Sequence, residues 1–583
     1  MFENSSLEQS LLKAKSYANK GEIAEAQKLY ETILKNLSYN IKSQQELTTL
    51  NKFKQNDASH SLLQEVVNQL VNLYNQGQFV VVAERAEILT KQYPDEYVAW
   101  NLLGAANISL EQFEKASEAL KKVTELNPNY AIGFNNLGIA LKNQGKLNDA
   151  VKTFKKALLI KSNYPEAYNN MGNALQDQGK SDEAIDAFKK SISLKSDYAQ
   201  AYYNMGVTLK EQGRLESAID AFKKSIAIKP DSHQSYNNMG NIFQNQGKLD
   251  KALNAYKNAL LIKPDYSEAH CNSSFIYNLK GDLQKGLELY EWRLKNKNAK
   301  ARLPREHLIW DGIKPIIGKR FFVYEEQGLG DMIQFCRYLL LLKQKGAEVT
   351  LRAQPKMHAL LQTMDSKIVL VDNDPDDINI DFEAPLMSLP YLFNTNLDTI
   401  PSSKSYLFAN HDKVISWGKC FTKPTFKIGI CWQGATLQSA VGKSFPLSLF
   451  EDISKLPNVE LISLHKGEGE KQIKNINFDL TTLGSDFDTG GNSFIDTAAV
   501  MINCDLIISC DTSTTHLAGA LGCPTWVVLQ KIPEWRWMLD RTDSPWYPNM
   551  TLYRQEEFGD WKYVFEIMKK DLAKLIKKGR KIK

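Results

Sequence analysis

At 583 residues, with 24% charged side chains and a formal net charge of +5, the chain exceeds one ordinary domain of about 150 residues and is too polar for a membrane bundle. No stretch approaches the roughly 20 apolar residues of a membrane span, and the opening MFENSSLEQSLLKAKSY lacks a basic region followed by an apolar one, so a cytoplasmic location is expected. The seven cysteines all lie at or after Cys271 without a CxxC pair, which argues against a disulfide framework and a zinc site.

Residues 1–62 read as an N-terminal helical cap, with GEIAEAQKLYETIL as an early repeat-like unit and a polar stretch around Ser43 to Ser59. Residues 63–300 are periodic. Gly145, Gly179, Gly213, Gly247 and Gly281 recur every 34 residues, the period of helix–turn–helix tetratricopeptide units. Trp100, Phe134, Tyr168, Tyr202 and Tyr236 keep the same register near the start of each first helix, and Ala116, Ala150, Ala184, Ala218 and Ala252 mark the close helix crossing. Gly286 replaces that alanine in the last unit, so the array is expected to close near residue 300 as a curved solenoid with a concave surface.

Asn136, Asn170, Asn204, Asn238 and Asn272 fall at one point of five first helices. An amide both donates and accepts, so such a row can hold an extended acceptor polypeptide or can close hydrogen bonds inside each repeat. Both readings stand at this point. The row resembles the asparagine ladder of eukaryotic-type protein O-GlcNAc transferases, which contacts the acceptor polypeptide; that resemblance concerns the repeats alone.

After Pro315 strands alternate with helices: RFFVYE, a helical run MIQFCRYLLLLKQK, AEVTLRA, the helix MHALLQTM and KIVLVD. A second series runs through FKIGICWQG, VELISLH, the helix SFIDTAAVMIN, CDLIISC, the helix STTHLAGALG and PTWVVLQ. The fold class is therefore α + α/β: an all-α solenoid followed by two Rossmann-like lobes, at 301–420 and 421–583, with a cleft between them. Ligands in such sheets bind beyond the C-terminal strand ends. Two loops stand there. One is QGLGD, with Gly328, Gly330 and Asp331. The other is CDTSTTHLAGALG, where Asp511, Thr512, Ser513 and His516 at a helix N-terminus form a cradle suited to a diphosphate.

The segments EEQGLGDMIQFCRYL, DTAAVMINCDLIISCDTSTTHLAGALGCPTWVVL, EWRWMLDRTDSPWYP and LYRQEEFGDW resemble the heptosyltransferase-like domain (glycosyltransferase family nine) found fused to tetratricopeptide repeats in bacteria. The resemblance covers roughly residues 305–575. It implies the glycosyltransferase B (GT-B) fold and a nucleotide-diphosphate sugar as co-substrate, with no cofactor and no metal. It assigns Asp331 as base and Asp511, Thr512 and His516 to the donor diphosphate and sugar. Ser513 stands where those enzymes often have glycine. The loop WQGATLQSAVGKSF lacks their His and Arg residues, leaving Lys443 as the diphosphate contact, and Glu470 falls to the nucleotide ribose. Lys443, His516 and the helix dipole would then stabilise the leaving diphosphate.

The Asp-x-Asp stretches DNDPDD (372–377) and DFD (486–488) read as solvated loop acids rather than metal ligands. Trp535, Trp537 and Trp546 either stack on a base or sugar or belong to the core. The eight basic residues from Lys569 to Lys583 read as a solvated helix end, with membrane contact as the alternative. No basic stripe with interleaved aromatics points to nucleic acid. The expected activity is inverting, metal-independent glycosyl transfer to a protein or glycan acceptor, with protein partners bound by the repeats. The alternative is an interaction scaffold with an inactive transferase-like domain.

Overall fold

The computed structural model describes residues 13–14, 16–17, 23–36, 57–295, 302, 304–326, 328–376, 379–434, 442–489 and 491–577. Most of the expected N-terminal cap, Gln327, Asp377, most of the loop before Lys443 and the last six residues of the basic tail lie outside the described residues. The chain divides into two compact units, Met1–Ser235 and Tyr236–Lys583.

In the first unit the expected helix pairs are present: Tyr97–Ser109 with Phe113–Leu126, Ala131–Asn143 with Leu147–Ile160, Pro165–Asp177 with Ser181–Leu194, and Ala199–Glu211 with Leu215–Ile228. The periodic residues have separate jobs. Gly145, Gly179 and Gly213 follow the first helices at φ of +75°, +76° and +75°, a left-handed turn that a Cβ disfavours. Gly138, Gly172 and Gly206 instead admit the fully buried rings of Phe154, Phe188 and Phe222 from the paired helix, since a Cβ there would come within 2.6, 2.5 and 2.7 Å of them.

The second unit holds the last repeat helices, including Leu249–Ile262, Ser267–Leu279 and Leu283–Tyr290, together with both sheets. Gly286 makes room for the buried Asn278, whose Oδ1 a Cβ would meet at 2.0 Å, which is why this repeat departs from alanine. The first sheet comprises β1 (Arg320–Tyr324), β2 (Glu348–Arg352), β3 (Val369–Val371) and β4 (Phe382–Pro385) in the order β3-β2-β1-β4. The second comprises β5 (Phe426–Cys431), β6 (Val459–Ser463), β7 (Leu506–Cys510), β8 (Thr525–Leu529) and β9 (Met550–Arg554) in the order β6-β5-β7-β8-β9. Every strand pairing is parallel, as expected of an α/β region.

Two strands escape the sequence pattern. β4, FEAP, carries Glu383, fully buried and paired with Arg302 at 2.9 Å and Arg305 at 2.5 Å, so it does not read as an apolar run. β9 is an edge strand and only half apolar. The helical run after QGLGD also divides, at Cys336, into Leu329–Phe335 and Arg337–Gln344. One apolar core joins the last repeats to both sheets, from Tyr256 and Leu287 through Phe335 and Leu339 to Leu517 and Trp546. All seven cysteines are free.

The packing at Gly172 gives a direct test. Gly172→Val drives a branched side chain into the Phe188 ring, and overpacking of this kind costs about 1–3 kcal/mol. A lower denaturant midpoint by circular dichroism is expected, while a surface change such as Lys189→Ala leaves it in place.

Candidate functional site

Strand order reverses between β1 and β4 in the first sheet and between β5 and β7 in the second. The space outside the C-terminal ends at such reversals is where doubly wound sheets bind ligands. β1 leads to Gly328–Asp331, β5 to the loop before Lys443, and β7 to Asp511–His516. The helices Leu329–Phe335 and Ser513–Leu521 pack against one another there. The glycine at 330 permits the approach, because a Cβ would lie 3.0 Å from His516 Cδ2 and 3.5 Å from Ser513 Cα. Gly328 is the N-cap of its helix, and Asp331, two residues inside that helix, turns its carboxylate elsewhere.

Asp331 is ion-paired with Arg536, a residue of the short turn Trp535–Trp537. Arg536 also pairs with Glu534 at 2.6 Å, and its guanidinium lies over the rings of Trp535 (4.7 Å) and Phe335 (5.2 Å). Burial alone would lower the Arg536 pKa, but Glu534 and Asp331 outweigh it and hold the cation firmly charged. Burial pushes Glu534 above the usual carboxylate range. Lys443 contacts Asp511 at 3.0 Å. Burial opposes both charges of that pair, yet each stabilises the other, so Asp511 is lowered and Lys443 raised. Two further contacts frame the pair: Gly434 abuts Thr512, whose Cγ2 a Cβ there would meet at 2.8 Å, and Thr512 is the N-cap of Ser513–Leu521.

His516 is buried, stacked on Trp537 at 5.4 Å, with Nδ1 3.0 Å from the Tyr547 hydroxyl. Burial, reinforced by Arg536, lowers its pKa to about 3. It is therefore a neutral imidazole that offers a hydrogen bond rather than a charge. Asp331, Asp511, Thr512, Ser513, His516 and Lys443 thus gather at one place. Glu470 is exposed and accepts from the backbone N–H of Gly467 at 3.1 Å within its own turn. Trp537 and Trp546 are fully buried and Trp535 nearly so, which places all three in the core.

One acid of each Asp-x-Asp stretch is held by partners within the chain. Asp374 pairs with Arg302 and, at 2.5 Å, with Arg352, whereas Asp488 accepts from the N–H groups of Asp496 (2.9 Å) and Thr497 (3.3 Å) at the start of a helix. In the basic tail Lys569 lies 3.3 Å from Asp452 and Lys574 3.0 Å from Asp571. Arg536 and Glu534 were missed by sequence reasoning. Their signal was a pair of opposite charges in the otherwise apolar EWRWM.

Four of the five asparagines bond to the neighbouring repeat rather than only inside their own. Asn136 Nδ2 donates to Asn101 Oδ1 (3.0 Å), Asn170 to Asn135 (3.0 Å), Asn204 to Asn169 (2.9 Å), and Asn272 to Asn237 (3.0 Å), each reaching into the preceding repeat. Asn135 in turn donates to Asn136 Oδ1 at 3.3 Å, so four amides from Asn170 to Asn101 are linked in series. Asn238 holds the equivalent helix position.

The chain is thus a tetratricopeptide-repeat protein that also carries a parallel α/β region. Residues 104–145 and 140–179 match the family described as TPR repeat, and residues 164–231 and 233–266 match Tetratricopeptide repeat. Among known proteins it is similar to Protein FlbA of Caulobacter vibrioides, 24% identical over 286 residues; the match spans 43% of this chain and 46% of FlbA, less than half that relative's length. Among solved structures, MamA is 31% identical with a TM-score of 0.26, covering 28% of this chain and 97% of MamA. YrrB, described as a TPR protein with an unusual peptide-binding site, is 20% identical with a TM-score of 0.27, covering 32% of this chain and 96% of YrrB. PilF of Pseudomonas aeruginosa is 18% identical with a TM-score of 0.32, covering 35% of this chain and 93% of PilF. No helix among the described residues is long and apolar enough to cross a membrane.

The buried imidazole makes stability pH-dependent. His516 stays neutral in the folded chain down to about pH 3, whereas the unfolded chain takes up that proton near pH 6.5. Stability is therefore expected to fall as pH drops from about 6.5 toward 3, by at most about 1.4 kcal/mol per unit for this one proton. Comparing denaturation midpoints of wild type and His516→Gln across that window checks it. The variant should lose this part of the acid sensitivity, and an unchanged slope would contradict the assignment.

Proposed function

We propose that the Tyr236–Lys583 unit is an inverting glycosyltransferase of the GT-B type. It would move a sugar from a nucleotide-diphosphate sugar to an acceptor hydroxyl, without a metal or cofactor, while the repeats bind a protein or glycan acceptor. One observation carries this reading. Asp331, after the reversal strand of one sheet, and Lys443, Asp511 and His516, after the reversal strands of the other, lie in one largely buried group of charges.

In this mechanism the acceptor hydroxyl gives its proton to Asp331 as its oxygen bonds to the anomeric carbon. The bond from that carbon to the diphosphate breaks with its electron pair leaving on phosphate oxygen. Lys443 and the N–H groups opening the helix Ser513–Leu521 stabilise the charge that appears there, and neutral His516 donates a hydrogen bond. Asp331 acts as base once Arg536 is drawn toward Glu534 alone. A single displacement inverts the anomeric configuration.

A second reading is favoured by a specific observation. Asp331 and Lys443 are both already engaged within the chain, by Arg536 and Asp511, as they would be in a domain that serves only as the end of a protein-binding scaffold.

The separating experiment is nucleoside-diphosphate release from a panel of nucleotide sugars with host lysate as acceptor source. Transfer predicts release by wild type and a loss of about 10²–10⁴-fold in Asp331→Ala, with donor affinity retained. Absence of both release and donor binding selects the scaffold.

A further inference from the structure

The two edges of the His516 imidazole meet different surroundings. Gly519 lies one turn after His516 on the helix Ser513–Leu521, and a Cβ there would come within 2.3 Å of Tyr547 Cδ1, so the bare glycine lets the phenol ring seat against that helix. The Tyr547 hydroxyl then reaches His516 Nδ1 at 3.0 Å. The opposite edge of the imidazole is turned the other way. Its Cδ2, bonded to Nε2, is the atom that a Cβ at Gly330 would meet at 3.0 Å, so this edge faces the segment that carries Asp331. Among the described residues Nε2 has no hydrogen-bond partner, and it is not sealed from solvent.

Which atom donates at the Tyr547 contact is decided from behind the phenol. Arg337 is 1% exposed and meets no carboxylate among the described residues. Its N–H groups go to the carbonyls of Gln334 (2.8 Å) and Trp546 (2.6 Å) and to the Tyr406 hydroxyl (2.9 Å), and the rings of Tyr406 and Tyr547 each lie 4.5 Å from its centre. A guanidinium only donates, so the Tyr406 oxygen accepts there and sends its own proton to the Ile333 carbonyl at 2.9 Å. The Tyr547 hydroxyl has two polar neighbours, the Tyr406 hydroxyl and His516 Nδ1. A proton turned to Tyr406 would point at an oxygen that already holds a proton of the cation. A proton turned to Nδ1 meets the lone pair of a ring that burial keeps neutral. Were Nδ1 to carry the imidazole proton, the phenol proton would be driven to the unfavourable side.

We infer that Tyr547 is a positioning residue that donates to His516 Nδ1, so that the ring's own proton sits on Nε2 and faces the segment of Gly330 and Asp331 as a hydrogen-bond donor. An imidazole in this tautomer takes a ligand oxygen and turns away an N–H group. Tyr406 and Arg337 act one step further back, by closing the other direction in which the phenol could give its proton. The tautomer depends on packing alone. Its service to one ligand class, the diphosphate oxygens of a nucleotide sugar, rests on the transfer reading of the site.

The test is a two-bond proton–nitrogen correlation spectrum of the full chain at pH 7 with its eight histidines labelled with nitrogen-15. His516 is assigned as the pattern missing from His516→Gln. Its Nε2 should carry the proton and its Nδ1 should resonate as a hydrogen-bonded acceptor, with this form favoured by about fivefold or more, the worth of one hydrogen bond. Tyr547→Phe keeps the ring in its seat but removes the donor, and should move Nδ1 to the position of an unbonded acceptor. The other seven patterns, left in place, show that the variant folds. Tyr406→Phe should leave Nδ1 where it is in wild type. A proton on Nδ1 in wild type, an Nδ1 signal unmoved in Tyr547→Phe, or the same movement produced by Tyr406→Phe would each overturn the inference. The spectrum is read without any nucleotide sugar, so the tautomer and the transfer reading fail separately.

Discussion

A guanidinium removed from water must be surrounded by carboxylates and hydrogen-bond acceptors, and the burial of Arg536 imposes that demand on its own neighbours and on one segment 205 residues away in sequence. Asp331 comes from the helix after β1, Glu534 from the segment after β8 that also carries Arg536, and the rings of Phe335 and Trp535 cover the faces of the cation. Removing one partner of a buried pair costs about 3–5 kcal/mol because the other charge is stranded. The two sheets therefore cannot drift apart at their C-terminal ends without exposing or orphaning this charge. The Lys443–Asp511 pair and the neutral His516 occupy the same neighbourhood under the same restriction.

The last repeats are part of this arrangement. Arg293, just beyond the final repeat helix, pairs with Glu291 at 2.6 Å and Glu326 at 2.8 Å and donates to Ser388 at 2.7 Å. Glu326 stands five residues before Asp331, so the end of the array anchors the loop that carries the acid. On the other side of β1, Arg302 and Arg305 converge on buried Glu383. The passage from repeats to sheets is consequently fastened at both ends by arginine–carboxylate clusters.

The repeats were legible because a 34-residue period states the same helix-pair geometry several times, so each position is read against four others. The strands β1 to β3 and β5 to β8 were legible as short apolar runs. β4 was hidden by Glu383, a charge that belongs in a core only because two arginines from outside the strand meet it. At the site, the loops after β1 and β7 announced themselves by glycines, hydroxyls and acids at strand ends. Arg536 did not, since its partner Asp331 is 205 residues away and nothing local reveals the contact. The ionisation state of His516 was illegible for the same reason: it is set by burial and by Arg536, which only the folded chain brings together. The asparagine row was visible, but its partners depend on the stagger between neighbouring helices, which spacing alone does not supply.

The amide series between repeats carries a consequence for how such a chain can change in length. Asn136 and Asn170 reach back 35 residues, to Asn101 and Asn135, and Asn204 does the same to Asn169. Gain or loss of a whole 34-residue unit within Met1–Ser235 regenerates the same rungs, whereas a gain of one residue breaks the 35-residue spacing of any rung that spans it. Because both sheets belong to Tyr236–Lys583, the number of earlier repeats is a dimension along which descendants can vary while the α/β end is inherited intact.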